Sequence, residues 1–234
     1  MNTETQQMLA ALGALADDLT GKLRQIDTKV NSLIPSVSGT LVKSIYVDPN
    51  NGDDAAPGSN ADPVQSLAGA AAMTSNAGIY HVFLKDDVIL DQRVTFRGSD
   101  VFFLSDVLYE KRRIDWANQI DGVTTLSPAL RSGMRFCSFT FRDIIFGNTV
   151  MAPHVVTKRM IEGEGFMNVN TWICEWDTQA GDELRFVETN GQLALWILSG
   201  VVPAEQAGLW VNNNSAGTDP ATVPHIINTN LASL

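Results

Sequence analysis

Cysteine is scarce in this chain, with only Cys137 and Cys174 among 234 residues. Both sit inside apolar, strand-like runs without metal-ligand spacing, which speaks against a cysteine metal site, and buried free thiols are expected. Positive charge is also short: 16 Lys and Arg stand against 26 Asp and Glu, for a net charge of -10. That balance opposes neutralisation of phosphates and excludes nucleic acid as a partner. No apolar run reaches the roughly 20 residues of a membrane helix, and the most apolar, Leu193 to Val202, is about half that length, which excludes membrane insertion. The segment Met1 to Gln7 lacks the basic and apolar regions of a secretory signal. The expectation is a soluble protein made in a cytoplasm.

What is present is enough to build a core, since 44% of the residues are hydrophobic. From Thr5 to Val37 the apolar positions follow coiled-coil spacing: Met8, Leu12, Leu15, Leu19, Leu23, Ile26, Val30, Leu33 and Val37. Steps of three and four alternate except between Leu19 and Leu23, where two fours meet in a stutter that locally unwinds a supercoil. Asp17, Asp18, Lys22, Arg24, Asp27 and Lys29 occupy the flanks, as a solvated face requires. Residues 1–35 therefore read as a coiled-coil stem ending at Pro35, and 36–43 as a linker. The stripe is narrow, and no second helix of similar length follows, so copies of the same helix are the expected partners; an amphipathic helix packed on its own globular domain is the alternative.

Residues 44–78 mark a change of architecture. Ile45-Tyr46-Val47 starts a strand, and the loop from Asp48 to Pro63 carries the Asp, Asn, Gly and Pro residues that turns need. Asp62-Pro63 has the form of an N-cap followed by a first-turn proline, which predicts a short helix over Val64 to Ala72 with Val64, Leu67, Ala68 and Ala71 on one apolar face.

Beyond Ile79 the pattern is one of short strands. His81 to Leu84, Val88 to Leu90, Arg93 to Phe96 and Val101 to Leu104 are separated by polar turn residues, and Cys137, Phe139 and Phe141 alternate with Ser138, Thr140 and Arg142. Residues 79–234 form a β-rich body, with 106–132, holding Tyr109 to Arg113 and Trp116, reading as an excursion from it. The strand spacing fits an irregular solenoid of about 20 to 25 residues per coil. A β-sandwich, here a trimeric one, is the alternative that fits the same strand list.

Tyr46-Val47-Asp48-Pro49, Asn51-Gly52, Asp54, Pro57-Gly58, Pro63-Val64, Ser66-Leu67 and Ala70-Ala71 together resemble the opening segment of right-handed parallel β-helix proteins of the pectate-lyase-like superfamily. Ser138 to Asn148 is similar to one of their coils. A coiled coil ahead of such a segment resembles bacteriophage tailspikes and tail fibres. The resemblance implies a mainly β protein: a trimeric α-helical stem, then a short right-handed parallel β-helix whose first coil is closed by Tyr46, Val47, Val64, Leu67, Ala68 and Ala71. It further implies a homotrimeric virion protein of the phage tail, joined to other tail proteins through its stem and to a host-surface glycan through its body.

For chemistry, a β-helix glycosidase needs two carboxylates facing across a groove. Asp86, Asp87, Asp91, Asp143, Glu162, Glu164, Glu175 and Asp177 are the candidates, each with solvated turn corners as the simpler reading. The Gly-His-Gly and paired-Asp pattern of polygalacturonase-like enzymes is absent around His81, His154 and His225, as is the Arg-rich signature of pectate lyases. The reading is non-enzymatic, with no catalytic, cofactor or metal residues assigned, and a tailspike-type polysaccharide depolymerase is the alternative. Asp48, Asn50, Asp53 and Asp54 are hard-oxygen candidates for Ca²⁺ but suit a hydrogen-bonded turn better. Lys111-Arg112-Arg113 reads as a solvated loop or, less favourably, an anion contact. Trp116, Trp172, Trp176, Trp196 and Trp210 are expected in the core or a subunit interface.

Overall fold

The computed structural model describes residues 19, 21–22, 24–26, 42–75, 78–117, 119–120, 123–124, 128–147, 159–177, 185–201, 210–211, 214–215 and 217–234. The chain divides into two compact units, Met1–Leu41 and Val42–Leu234. In the first unit Leu19, Gly21, Lys22, Arg24, Gln25 and Ile26 are helical. Leu19 and Ile26 of the apolar stripe are 53% and 56% exposed. Met8, Leu12, Leu15, Leu23, Val30 and Leu33 lie outside the described residues.

The second unit is mainly β, a curled parallel sheet laid down in three ladders. The first ladder stacks β1 (Val42–Val47), β2 (Ile79–Leu84), β5 (Asp100–Ser105), β10 (Phe136–Arg142), the first part of β13 (Phe166–Asp177), β15 (Leu193–Val201) and β16 (Ile226–Thr229). The second stacks β3 (Val88–Leu90), β6 (Arg112–Trp116), β11 (Ile144–Gly147) and the end of β13. The third stacks β4 (Arg93–Phe96), β9 (Ala129–Ser132), β12 (Arg159–Gly163) and β14 (Arg185–Thr189). Among the described residues only the two-residue strands β7 (Gln119–Ile120) and β8 (Val123–Thr124) pair antiparallel. Parallel pairing sets this architecture apart from the β-sandwich alternative, whose sheets are antiparallel.

Register explains the core. Ile45, Val82, Phe103, Phe141, Thr171 and Ile197 stand level in the first ladder. Val88, Ile114, Phe146 and Trp176 do so in the second, and Val94, Leu130, Ile161 and Val187 in the third. Alternation along each strand turns these residues inward, and the rings from different ladders meet. Phe103 stacks on Phe141 at 4.9 Å, Phe141 meets Phe146 edge-on at 5.1 Å, and Phe146 meets Phe186 at 5.0 Å. Each such side chain, fully buried, contributes about 1.5–3 kcal/mol. The Trp116 indole donates to the Met160 carbonyl at 3.1 Å, satisfying the one polar atom it carries into the core.

Two expectations change. Within 106–132, read as an excursion, Arg112–Trp116 is a ladder strand and Ala129–Ser132 another. The run of charges hid the alternation in which Ile114 and Trp116 point inward, both fully buried, beneath outward Arg113 and Asp115. The helix, α1, spans Leu67–Ala72 with Ser66 as its N-cap, in place of a start at Asp62-Pro63. Val64 is extended and bridges Val47 in parallel, because Val64 N–H donates to the Tyr46 carbonyl and the Val64 carbonyl accepts from Asp48 N–H, each at 2.9 Å.

Candidate functional site

The most elaborate local construction is the loop that connects β1 to α1. Asp48 Oδ1 accepts from Asn50 N–H at 3.1 Å and Asn51 N–H at 3.0 Å. Burial alone would raise the Asp48 carboxyl. The hydrogen bonds from Asn51 and Asn50, with the nearby Lys85 ammonium, outweigh it and hold the group below its ordinary value. Asp53 accepts from Ala55 N–H. Asp54 Oδ1 accepts from Gln65 N–H at 2.9 Å and Ser66 N–H at 2.8 Å, and its Oδ2 accepts from the Ser66 hydroxyl at 2.6 Å. Ser66 Oγ in turn accepts from Gly69 N–H at 3.0 Å. The acidic residues weighed as calcium ligands are thus each spent on backbone donors, and among the described residues no group of three or more His, Cys, Asp or Glu is placed to hold a metal ion. Gly52 is required here, because a Cβ would lie 2.3 Å from the Val64 carbonyl oxygen.

This loop sets α1 against the end of the ladders. Val47, Val64, Leu67 and Ala71 are buried, Ala68 is partly buried against the same core, and Tyr46 faces outward and stacks on Phe83 at 4.9 Å. The Thr74 hydroxyl donates to the Ala71 carbonyl at 2.7 Å and accepts from Arg97 N–H at 2.9 Å, tying the end of α1 to the end of β4. A shallow cleft between α1 and β4 is floored by Ala68, Ala71 and Val94, with Arg93 and Arg97 at its rim.

The candidate carboxylates are dispersed: Glu162, Glu175 and Asp177 lie on strands of the second and third ladders, and the others at the turns between strands. Asp177 pairs with Arg113 at 2.5 Å, Glu175 pairs with Lys111, and Asp87 accepts from Arg113 N–H. Asp86 accepts from the Asn50 amide at 2.6 Å. Glu162 lies between Arg93 at 3.1 Å and Arg159 at 3.4 Å, while Glu164 pairs with Arg131 at 2.7 Å. Asp91 sits half-buried between β3 and β4. Asp143 is only 3% exposed and lies at the corner between β10 and β11, with Arg142 Nε at 3.4 Å. The basic run read as a solvated loop is instead part of this network. Burial would lower the Arg112 guanidinium, but its hydrogen bond to Asp106 and the charges of Asp106, Glu110 and Asp86 raise it above its ordinary value.

The outer face of the first ladder is different in kind. Tyr46, Phe83, Leu104, Arg142, Trp172 and Leu198 lie level across it, and so do Ser44, His81, Phe102, Thr140, Asn170 and Trp196. His81 meets Phe102 edge-on at 5.0 Å, and the Arg142 guanidinium lies over the Trp172 ring at 5.4 Å. Phe136 and Phe166 pair at the rim. The tryptophans therefore separate: Trp116, Trp176 and Trp210 are buried, while Trp172 is 51% exposed and Trp196 faces outward beside it. The parity of Phe83 and Phe102, opposite to that of the buried residues in β2 and β5, is the sequence signal that could have found this face. Both cysteines are inert by position, burial pushing the Cys137 thiol up to about 11 and the Cys174 thiol to about 12.

Together these features define a class: a mainly β protein with a curled parallel sheet, one end of which is covered by a short helix. Comparison with protein-family models, curated proteins and solved structures finds no match to this chain. Among the described residues no helix is long and apolar enough to cross a membrane.

Proposed function

We propose that this chain is a non-enzymatic structural protein of a phage tail, a homotrimeric fibre or small tailspike component. Its body is a short right-handed parallel β-helix, α1 caps the first coil, and residues 1–35 form the coiled-coil stem that joins three copies and attaches them to other tail proteins. The observation that carries this reading is the set of three parallel ladders, stacked in register around one aromatic core and covered at one end by the Asp48–Ala72 segment. The resemblance of that segment to β-helix opening sequences supports it, as does the apolar stripe in the stem, of which Leu19 and Ile26 are exposed in the single chain. The mechanism is assembly: three helices bury the stripe, and three bodies present repeated outer faces to a host-surface glycan, where multivalency raises avidity. Engagement of Asp86, Asp87, Glu162, Glu164, Glu175 and Asp177 in ion pairs and hydrogen bonds supports the structural role over the depolymerase alternative. Light scattering of the full chain is expected to give three times the 25.4 kDa chain mass, and a clean monomer refutes the proposal. Release of reducing ends from host polysaccharide, abolished by a single carboxylate substitution, would establish the enzyme instead.

A further inference from the structure

We infer that copies of this chain meet through the outer face of the first ladder, which is a second self-association surface separate from the stem. The inference rests on the self-association reading above but locates a contact within the body.

The argument is one of contrast between faces. The outer positions of the second and third ladders carry ion pairs, Arg113 with Asp177 and Asp115, and Arg93 with Glu162. Asp177 and Arg93 keep 68% and 40% of their side-chain exposure, and covering such groups with another protein costs their desolvation. In a chain of net charge -10 it also brings like charges together. The outer positions of the first ladder hold just two charged residues among those described, Asp100 and Arg142, and Arg142 already lies over Trp172.

In their place are rings and aliphatic side chains, interleaved with the uncharged Ser44, Ser138, Thr140, Asn168 and Asn170, and Phe136 at 72% and Trp172 at 51% are the most exposed aromatics of the face. Depletion of charge with enrichment of aromatics and a single Arg is the composition of an interface core. Size agrees. Seven strands at about 4.8 Å spacing and about six residues at ~3.3 Å each give a face of roughly 600 Å². Two such faces bury about 1,200 Å², within the range of specific interfaces. A face this broad and rich in phenylalanine fits another copy of this chain better than a narrow chain of sugar rings.

The test uses the full chain and sedimentation equilibrium over a range of concentrations. Leu19→Asp with Ile26→Asp disables the stem stripe. This variant is expected to keep associating, its average mass rising with concentration. Adding Trp172→Glu and Phe136→Glu is expected to weaken that association by on the order of 100-fold, as loss of two aromatic anchors does, while the far-UV circular dichroism and melting temperature stay those of the parent. If the Glu pair unfolds the body, Phe136→Gln alone gives the same readout at a more exposed position. A stem-disabled variant that is monomeric at every concentration, beside a wild type that is trimeric, overturns the face and leaves the stem standing. Wild-type association lost through the face substitutions but not through the stem ones does the reverse. A wild type that is monomeric throughout overturns both. An added oligosaccharide that protects Trp172 from quenching without any change in mass, the face variants associating as their parent does, also overturns it.

Discussion

Gly69 offers a sign reversal. It lies inside α1, is buried, and has no positive φ, so replacement by alanine would ordinarily stabilise the helix by about 1 kcal/mol. Here an alanine Cβ would stand 2.2 Å from Asp54 Oδ1 and 2.6 Å from Asp54 Cγ. Asp54 must swing away, and with it go the bonds it accepts from Gln65 N–H, Ser66 N–H and the Ser66 hydroxyl. Hydrogen bonds to a charged group contribute about 1.5–3 kcal/mol each. Because Asp54 is exposed, solvent screening reduces this to roughly 1 kcal/mol each.

The loss of about 3 kcal/mol exceeds the propensity gain, so Gly69→Ala is expected to destabilise the body by about 2 kcal/mol. For a domain of this size that is a fall of about 4–8 °C in Tm. In an Asp54→Ala background the clash is gone, and the same substitution should stabilise by about 1 kcal/mol. The double-mutant cycle, read by urea unfolding monitored through tryptophan fluorescence, therefore carries a coupling of about 3 kcal/mol. If Gly69→Ala stabilises the wild type as much as it stabilises Asp54→Ala, then Asp54 does not organise the capping helix and the reasoning fails.

Leu67→Asp places a carboxylate at a position 3% exposed beneath the same helix; it should cost at least about 3 kcal/mol in urea unfolding of the body, and an unchanged transition midpoint would remove the cap from the account of stability. The Asp48 carboxyl is held below its ordinary 3.8, so its contribution is full above that value and is lost as pH falls through the folded one; Asp48→Asn should flatten the acid limb of a stability-against-pH curve, and an unaltered limb counts against the hydrogen-bonded turn. The two thiols act at the other end: raised to about 11 and 12 from 9.0, they make the fold lose stability as pH rises above 9, where the unfolded chain releases its protons first. Both should resist a thiol-exchange reagent at pH 8 and react in urea, whereas rapid native labelling would show that they are not buried. Ile173 has a φ of 57°, a conformation that costs a β-branched residue about 1–2 kcal/mol; Ile173→Asn is expected to raise Tm by about 2–4 °C, and a lowered Tm would mean that its side-chain packing outweighs the backbone strain.

The strands with clear alternation were legible from residues alone, Cys137 to Arg142 being the plainest, because hydrophobic period two is a local property. The turn from Asp48 to Asn51 was legible for the same reason: an Asp that binds the backbone two and three residues on carries its geometry in the sequence. The start of α1 was not. Asp62-Pro63 satisfies the local rule for an N-terminus, but Asp54, eleven and twelve residues upstream of its partners, takes the backbone donors of Gln65 and Ser66. That contact leaves Ser66 as the cap and keeps Val64 extended against Val47. A loop that folds back overrides a local signal, and no window of a few residues contains both ends of the contact. The stem seam remains a reading of spacing, with Leu19 and Ile26 its only members among the described residues.

The outward position of Trp172 was hidden by a different effect, one of parity. Trp172 and Trp176 are four residues apart in the single strand β13, so a straight strand would put both on the same side. Instead Trp172 is 51% exposed and Trp176 4%. The reason is the left-handed residue between them: Met167, Val169 and Thr171 point inward before Ile173, while Cys174 and Trp176 point inward after it. Asp143, with φ also 57°, does the same one layer away, separating inward Phe139 and Phe141 from inward Ile144 and Phe146. One residue in the left-handed region takes the chain round the corner between the first and second ladders and shifts which residues face the core. Asp is a residue that tolerates this conformation and so hints at the corner; Ile is not, and its run reads as uninterrupted strand. The corner at Ile173 is therefore imposed by stacking on the corner at Asp143, through Arg142 level with Trp172 and Ile145 level with Glu175. It is this imposed corner that leaves one tryptophan in the core and delivers the other to the surface through which the bodies are proposed to meet.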